Sequence, residues 1–404
     1  MHSFALHMST RLLFGPEKEA DFISSIASTG AHVLVVIGGG SVERIGLVDR
    51  VLKGLDAAGV QHTLFRGIEP NPVDSTIDRA AAEGKTAGVD SVLAIGGGSV
   101  MDASKAIAAL IHENEAHVWP FVTGQPKRGT MKGALPIFTI PTTAATASEL
   151  TPHAVISKPE EQGKCAISYP FLQPLVSWLN PEFHTSLPAH VTADGGADIL
   201  SHVFENYILG DDASPFADRY SEGVMDTVID VLPRLLKELH NVAYRGKLQW
   251  VSAMALNSIQ VAGRQPSPFP LHAIEHSMSG YHPALAHGRG LATLFPAYFR
   301  MLLDREEHVD RLAQFGRRVF WVTPQEDQAA ALAGIEAFEE WLRGVDLYQS
   351  MEDIGIPEEA FDSIANYAVN VYGNGKTLPV SGPWTKEEVI ELFNRANEQK
   401  RPNA

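Results

Sequence analysis

The chain has 404 residues, 45% of them hydrophobic and 20% charged, a composition of folded globular proteins and long enough for two domains or more. Its formal net charge of −16 would repel nucleic acid and anionic lipid, so neither is an expected partner, although backbone amides can still hold a phosphate locally. Cys165 is the only cysteine, which excludes an internal disulfide and a thiolate metal site.

The first residues lack a basic segment followed by an apolar one, and no run of about 18 apolar residues occurs, so the expected compartment is the cytoplasm with no membrane span. Ala31 to Ile37 reads as a buried strand ending at Gly38-Gly39-Gly40, followed by helical spacing from Val42 to Leu55. A strand is expected at Gln61–Phe65 and a helix opening at Asn71-Pro72. Ser91–Ile95 gives a third strand, again closed by three glycines, then a helix from about Val100 to Ile111. Leu135–Ile140 supplies a fourth strand. Strands alternating with helices indicate a parallel sheet covered on both faces. Beyond Asn180-Pro181 the segments 188–209, 214–240, 245–263, 270–281, 290–318 and 326–345 are helical in pattern. The expected architecture is therefore an α/β, Rossmann-like nucleotide-binding domain over 1–180 and an all-helical domain over 181–404, with a cofactor cleft between them. Gln399 to Ala404 is expected to fray.

Two glycine turns carry the cofactor signal. Gly96-Gly97-Gly98-Ser99 follows a strand and opens the helix bearing Asp102 and Lys105, where glycine backbone and free helix amides suit a phosphate. Neither turn matches G-x-G-x-x-G or a P-loop, so each is a weak signal alone. Ile140-Pro141-Thr142-Thr143-Ala144-Ala145-Thr146-Ala147-Ser148-Glu149 is more unusual. Its hydroxyls beside backbone amides suit a ribose or pyrophosphate, and its small side chains leave room for a ring.

Histidine is concentrated downstream: four of the 16 histidines fall between His272 and His287, at 272, 276, 282 and 287. His272 and His276 are one helical turn apart, and His287 is expected in the turn beyond that helix. Upstream, Asp198 and His202 show the same spacing, with Glu205 extending the stripe on an otherwise apolar helix. Burying such a stripe without a partner is unfavourable, and a metal would satisfy it. One carboxylate with two or three imidazoles suits Zn²⁺ or Fe²⁺.

Taken in order, GGGSVMDASK (96–105), IPTTAATASEL (140–150), Gly196-x-Asp198-x-x-x-His202, and His272-A-I-E-His276 with His287-Gly288 resemble the iron-containing, metal-dependent (group III) alcohol dehydrogenases. The resemblance implies a nucleotide-binding α/β domain followed by a helical domain holding a divalent metal, Fe²⁺ first and Zn²⁺ second. By position it implies Asp198, His202, His272 and His287 as ligands and His276 as a catalytic residue beside the reacting centre. It places Gly97, Gly98 and Ser99 on the pyrophosphate, Thr142 and Thr143 along the cofactor, and Asp102 near cofactor and substrate as a cofactor-binding and catalytic residue. Gly39, Gly40 and Ser41 form the adenosine-side turn. No acid stands within Gly38–Ser41, so NADP(H) is expected over NAD(H). The stretch from His276 to His287 is one residue longer than the shortest family pattern, which leaves the role of His282 open.

The expected reaction is reversible hydride transfer between NAD(P)H and a small aldehyde or primary alcohol, by a homodimer. The alternatives are a polyol dehydrogenase, a maleylacetate reductase or lyase-like cyclase of the same superfamily, or a reductase of a phosphono- or carboxy-aldehyde using Arg264 and Arg289. A non-catalytic nucleotide- and metal-binding protein is the alternative of a different class.

Overall fold

Six short segments pair into one parallel sheet in the computed structural model, which describes residues 1–265 and 267–399. The elements in chain order are β1 (Arg11–Phe14), α1 (Glu19–Ala27), β2 (His32–Ile37), α2 (Ser41–Arg44), α3 (Leu47–Ala57), β3 (Gln61–Phe65), α4 (Asp74–Ala87), β4 (Ser91–Gly96), α5 (Gly98–Glu113) and β5 (Ile137–Pro141). An antiparallel hairpin, β6 (His153–Lys158) and β7 (Gly163–Ser168), precedes β8 (Val176–Leu179). The sheet runs β1-β8-β5-β4-β2-β3. Its central strands are apolar on both faces because helices cover both, and Val33, Val35, Ile37, Leu93, Ile95, Phe138 and Ile140 share one core with Phe22, Val51 and Leu55.

The order of the strands decides where a ligand can sit. From β2 the chain goes to β3 on one side, then returns to β4 on the other and continues outward. Strand order therefore reverses between β2 and β4, and crevices at such points, beyond the carboxyl ends of the strands, are where open α/β sheets bind ligands. Ile37 and Ile95 are register partners, so the two glycine turns that follow them lie side by side at that crevice.

The expected helix over Val42–Leu55 is two helices. Gly46, at φ 72°, breaks the backbone between α2 and α3. The strands β1 and β8 have no expected counterpart. Each is only four residues long, too short for a period-2 pattern to register.

The remaining chain is mostly helical: α6 (Ala189–Leu209), α7 (Pro215–Lys237), α8 (Val242–Met254), α9 (Pro270–Tyr281), α10 (His287–Asp304), α11 (Val309–Val319), α12 (Asp327–Gly344) and α13 (Phe361–Tyr367). A π-helical turn (Ala368–Tyr372), a hairpin of β9 (Thr377–Pro379) and β10 (Pro383–Thr385), and α14 (Lys386–Asn397) complete it. This corrects two expectations. The part is not all-helical, since β9 and β10 pair. The single segment 290–318 is two helices, separated by a turn where Glu306 and His308 take φ of 56° and 52°. Residues 400–404, within the stretch expected to fray, lie outside the described residues. Gln399 itself is buried and donates to the Thr293 carbonyl at 2.8 Å.

The chain forms two compact units: His7–Leu187 with Leu239–Ala253, and Met1–Leu6 with Pro188–Glu238 and the described residues from Met254 on. The second unit centres on Phe204, whose ring meets Phe295, Phe299, Phe315 and Phe338 edge-on at 5.1–5.7 Å. Among the described residues no helix is long and apolar enough to cross a membrane.

Candidate metal centre and cofactor turn

The Asp–His stripe lies on α6, a 21-residue helix whose middle is buried all round. Asp198 and His202 are one turn apart, so both side chains leave the same face, with Asp198 Oδ1 3.5 Å from His202 Nε2. Helix α9 brings His272 onto this pair. Its ring stacks on His202 with centroids 5.4 Å apart, and the ligand atoms of Asp198, His202 and His272 all lie within 4.8 Å of one another.

His287 arrives differently from the expectation. It is the first residue of α10, with Ala286 at the cap, rather than a turn residue. It comes close because Gly288 lies against the α6 backbone. A Cβ on Gly288 would overlap the Asp194 carbonyl and stand 3.1 Å from the Asp198 nitrogen. His287 Nε2 is thereby set 3.8 Å from Asp198 Oδ1.

Asp198 Oδ1 is buried and accepts no hydrogen bond, an arrangement that is unfavourable without a cation. Ligand atoms around one tetrahedral ion, each about 2.1 Å from it, stand about 3.4 Å apart. The spacings of 3.5 and 3.8 Å and the oxygen–nitrogen donor set therefore fit one divalent ion.

Two carboxylates orient this cluster. Glu205 hydrogen-bonds His272 Nδ1 and accepts the Leu271 amide at 2.6 Å, and Glu275 hydrogen-bonds His287 Nδ1 and the Ser279 hydroxyl. Both glutamates are fully buried. Each leaves Nε2 of its histidine as the outward nitrogen. Burial opposes protonation of His272, but the charge and hydrogen bond of Glu205, with Asp198 and Glu275, outweigh it and raise its pKa.

Glu275, His276 and His287 also bring ligand atoms within 4.8 Å of each other. Glu275, however, is already occupied by His287 and Ser279, so the Asp198 set is the better cage. His276 sits beside His287 at 5.1 Å between ring centroids, with its Nδ1 3.3 Å from the Tyr372 hydroxyl. His282 ends α9 with its ring against Gly355 and outside both groups. Sequence reasoning noted Glu205 only as part of the stripe and overlooked Glu275 and Tyr372. The one available signal for Glu275 was a carboxylate inside an apolar run between two histidines.

The cofactor signals converge as well. The α5 helix begins at Gly98, directly after β4, and the Val100 and Met101 amides close on the Gly97 carbonyl. The earlier amides of that first turn are the ones a helix leaves for an anion. The threonine loop lies over this turn: the Thr142 amide bonds the Gly96 carbonyl at 3.0 Å, and Thr143 Oγ1 would be 3.0 Å from a Cβ on Gly97. A Cβ on Gly98 would overlap Thr146, so two motifs distant in sequence form one surface. Ser99 accepts from the Asn71 amide at 3.2 Å.

Asp102 is part-buried. It accepts from Ser148 Oγ at 2.6 Å and from the Val155 amide at 2.9 Å. Lys105, wholly buried, donates to Ser148 Oγ and to the His153 carbonyl, both at 2.7 Å. Burial lowers its pKa to about 8 against the pull of Asp102 and Glu149, and burial raises Glu149 to about 7. This network fixes the exit of the threonine loop, where Ala147 holds a left-handed φ of 54°.

In the first turn Gly39 has open space around its Cβ position, and Gly40 is left-handed at φ 87°. Ser41 is exposed at the start of α2. A Cβ on Gly40 would stand 3.5 Å from Glu43 Oε2 and 3.8 Å from an Arg44 guanidinium nitrogen, and the other Glu43 oxygen is bound to Arg66 at 2.9 Å.

An open parallel sheet with such turns, and a histidine–carboxylate cage on helices, define a nucleotide-linked metalloenzyme. Residues 9–181 match the family described as iron-containing alcohol dehydrogenase, and residues 192–397 match the C-terminal part of the Fe-containing alcohol dehydrogenase family. The chain is 34% identical to the probable NADH-dependent butanol dehydrogenase 1 of Bacillus subtilis, covering 97% of this chain and 99% of that one. It is 33% identical to the NADPH-dependent aldehyde reductase YqhD of Escherichia coli, covering 88% and 90%. The crystal structure of NADH-dependent butanol dehydrogenase A from Thermotoga maritima superposes with a TM-score of 0.92 at 31% identity, covering 98% and 99%. The chain belongs to the iron-containing alcohol dehydrogenase family.

Proposed function

We propose that this enzyme is a metal-dependent, NAD(P)H-linked alcohol dehydrogenase and aldehyde reductase that interconverts small aldehydes and primary alcohols. The observation that carries the metal assignment is the buried, unbonded Asp198 Oδ1 facing His202 and His287. Asp198, His202, His272 and His287 would hold the ion, Fe²⁺ or Zn²⁺, in the helical domain. Gly97, Gly98, Ser99, Thr142 and Thr143 would hold the nucleotide in the α/β domain, with Asp102 acting through Ser148 rather than touching the cofactor. When bound, the ion supplies Lewis acidity toward a carbonyl oxygen and the nicotinamide supplies hydride. His276 takes the alcohol proton in oxidation and returns it in reduction.

Arg264 is buried against Asp218 at 2.6 Å and the Asn206 carbonyl at 3.0 Å, and Arg289 pairs with Asp194 at 2.8 Å. Neither is left to grip an anionic substrate, which favours neutral aldehydes over phosphono- or carboxy-aldehydes. The enzyme is proposed to work in the cytoplasm as a homodimer.

The test is direct. Protein loaded with Fe²⁺ or Zn²⁺ is mixed with NADPH or NADH and a panel of neutral and acidic aldehydes, and nicotinamide absorbance is followed. Turnover of butanal but not of the acidic aldehydes is expected, and no oxidation with any pair would leave only a binding protein. NADPH is expected to give about tenfold higher kcat/KM than NADH, the worth of one charge-assisted contact between a 2′-phosphate and Arg44. Equal values would refute that preference. His276→Ala is expected to lower kcat about 100-fold while metal content stays at the wild-type level. Loss of the metal would instead make His276 a ligand.

A further inference from the structure

Helix α13 does not end in an ordinary turn. It widens into a π-helical turn, Ala368–Tyr372, a geometry that is rare and concentrated at functional sites. The last residue of that turn, Tyr372, faces two ways. Its hydroxyl lies 3.3 Å from His276 Nδ1, and its ring centroid is 6.0 Å from that of His276. The same residue lines a cavity of about 550 Å³ together with Asn374, Thr377, Pro379, Val380 and Pro383 of the segment that follows. The cavity is open to solvent along a rim where Asn374, Pro379 and Pro383 are exposed. Neither His276 nor any of the four proposed metal ligands lines it, so Tyr372 is the residue that the cavity and the histidine cluster have in common.

We propose that Tyr372 determines substrate specificity by setting the upper chain length of the aldehyde, and that the cavity behind it would take the unbranched alkyl tail of a longer one. The proposal rests on the aldehyde-reductase reading above. Because the phenol ring stands beside His276, a carbonyl group held there would have its chain run past that ring. While the ring is in place the tail stops there. Without the ring, Pro379, Val380 and Pro383 give further methylenes an apolar surface. The hydroxyl contributes separately, by fixing the His276 ring through Nδ1, so the two functions of Tyr372 can be separated by substitution.

The experiment measures kcat/KM for straight-chain aldehydes from propanal to decanal in metal-loaded wild type, Y372F, Y372L and Y372A, with metal content measured for each. Wild type is expected to fall off beyond a short chain. In Y372A the octanal-to-butanal ratio is expected to rise about tenfold, the worth of two more buried methylenes. Y372L should move in the same direction by less, and it reads the effect if Y372A does not fold. Y372F should keep the wild-type ratio while its kcat falls for every substrate alike. The ratio within one preparation is insensitive to the fraction of active enzyme, so a merely structural role would not move it. An unchanged ratio in Y372A and Y372L with full metal, or an equal shift in Y372F, would overturn the proposal. A wild type that reduces no aldehyde of any length would instead sink the broader reading, and this one with it.

Discussion

Gly288→Ala is expected to yield a folded protein that no longer retains its metal. The added methyl would meet the Asp194 carbonyl and the Asp198 nitrogen on α6, and both are backbone atoms that no rotamer change can move aside. The start of α10 must therefore back away from α6, carrying His287 with it. His287 Nε2 now stands 3.8 Å from Asp198 Oδ1, so a shift of about 1 Å takes it out of a shared coordination sphere, and misplacements of that size cost about 100-fold in rate. Overpacking itself costs about 1–3 kcal/mol, which a domain of ordinary stability survives. Metal analysis after dialysis separates this from general unfolding. A metal-free protein with a wild-type circular dichroism spectrum is the expected result. Full metal content and activity would show that the α6–α10 contact is softer than its geometry implies. His287→Ala should reproduce the metal loss without the packing defect.

Gly288 also shows where sequence reasoning reaches and where it stops. The Asp198–His202 pair was legible because helical periodicity puts i and i+4 on one face, whatever else the helix touches. The central strands β2 and β4 were legible because burial on both faces leaves unbroken apolar runs ended by glycine. The placement of His287 was not legible, because it depends on a glycine meeting a backbone 90 residues away. Tyr372 was invisible for the same reason: nothing near it in sequence marks a neighbour of His276. The contact of Gly98 with Thr146 shows the intermediate case. Both motifs stood out separately, and only the register of β4 with β5 brings one over the other. Asp102 is expected near cofactor and substrate, and the bonds it accepts from Ser148 and the Val155 amide are contacts that its position in the sequence does not show. Composition and spacing reveal which side chains can do chemistry, but long-range packing decides which way they point.

The paired carboxylates behind His272 and His287 lead to the other large effect. Glu205→Gln and Glu275→Gln are each expected to weaken metal binding about tenfold, and the double variant about 100-fold. In both pairs the glutamate holds Nδ1, so the imidazole keeps its proton there and presents Nε2 as a lone pair. The negative charge also partly offsets the charge of a bound cation. Glutamine fills the same space and can still accept the Nδ1 proton, but it removes the charge and offers an amide that can turn the wrong way. The loss should therefore appear mainly in affinity rather than in fold. A competition titration of each variant against a chelator of known affinity reads this without any assay of turnover. Glutamate-to-alanine changes should weaken binding further, since they leave Nδ1 without its partner and open a cavity beside a buried ring. If both glutamine variants hold the metal as tightly as wild type while His272→Ala loses it, the glutamates act as packing groups rather than as orienting groups for the ligands.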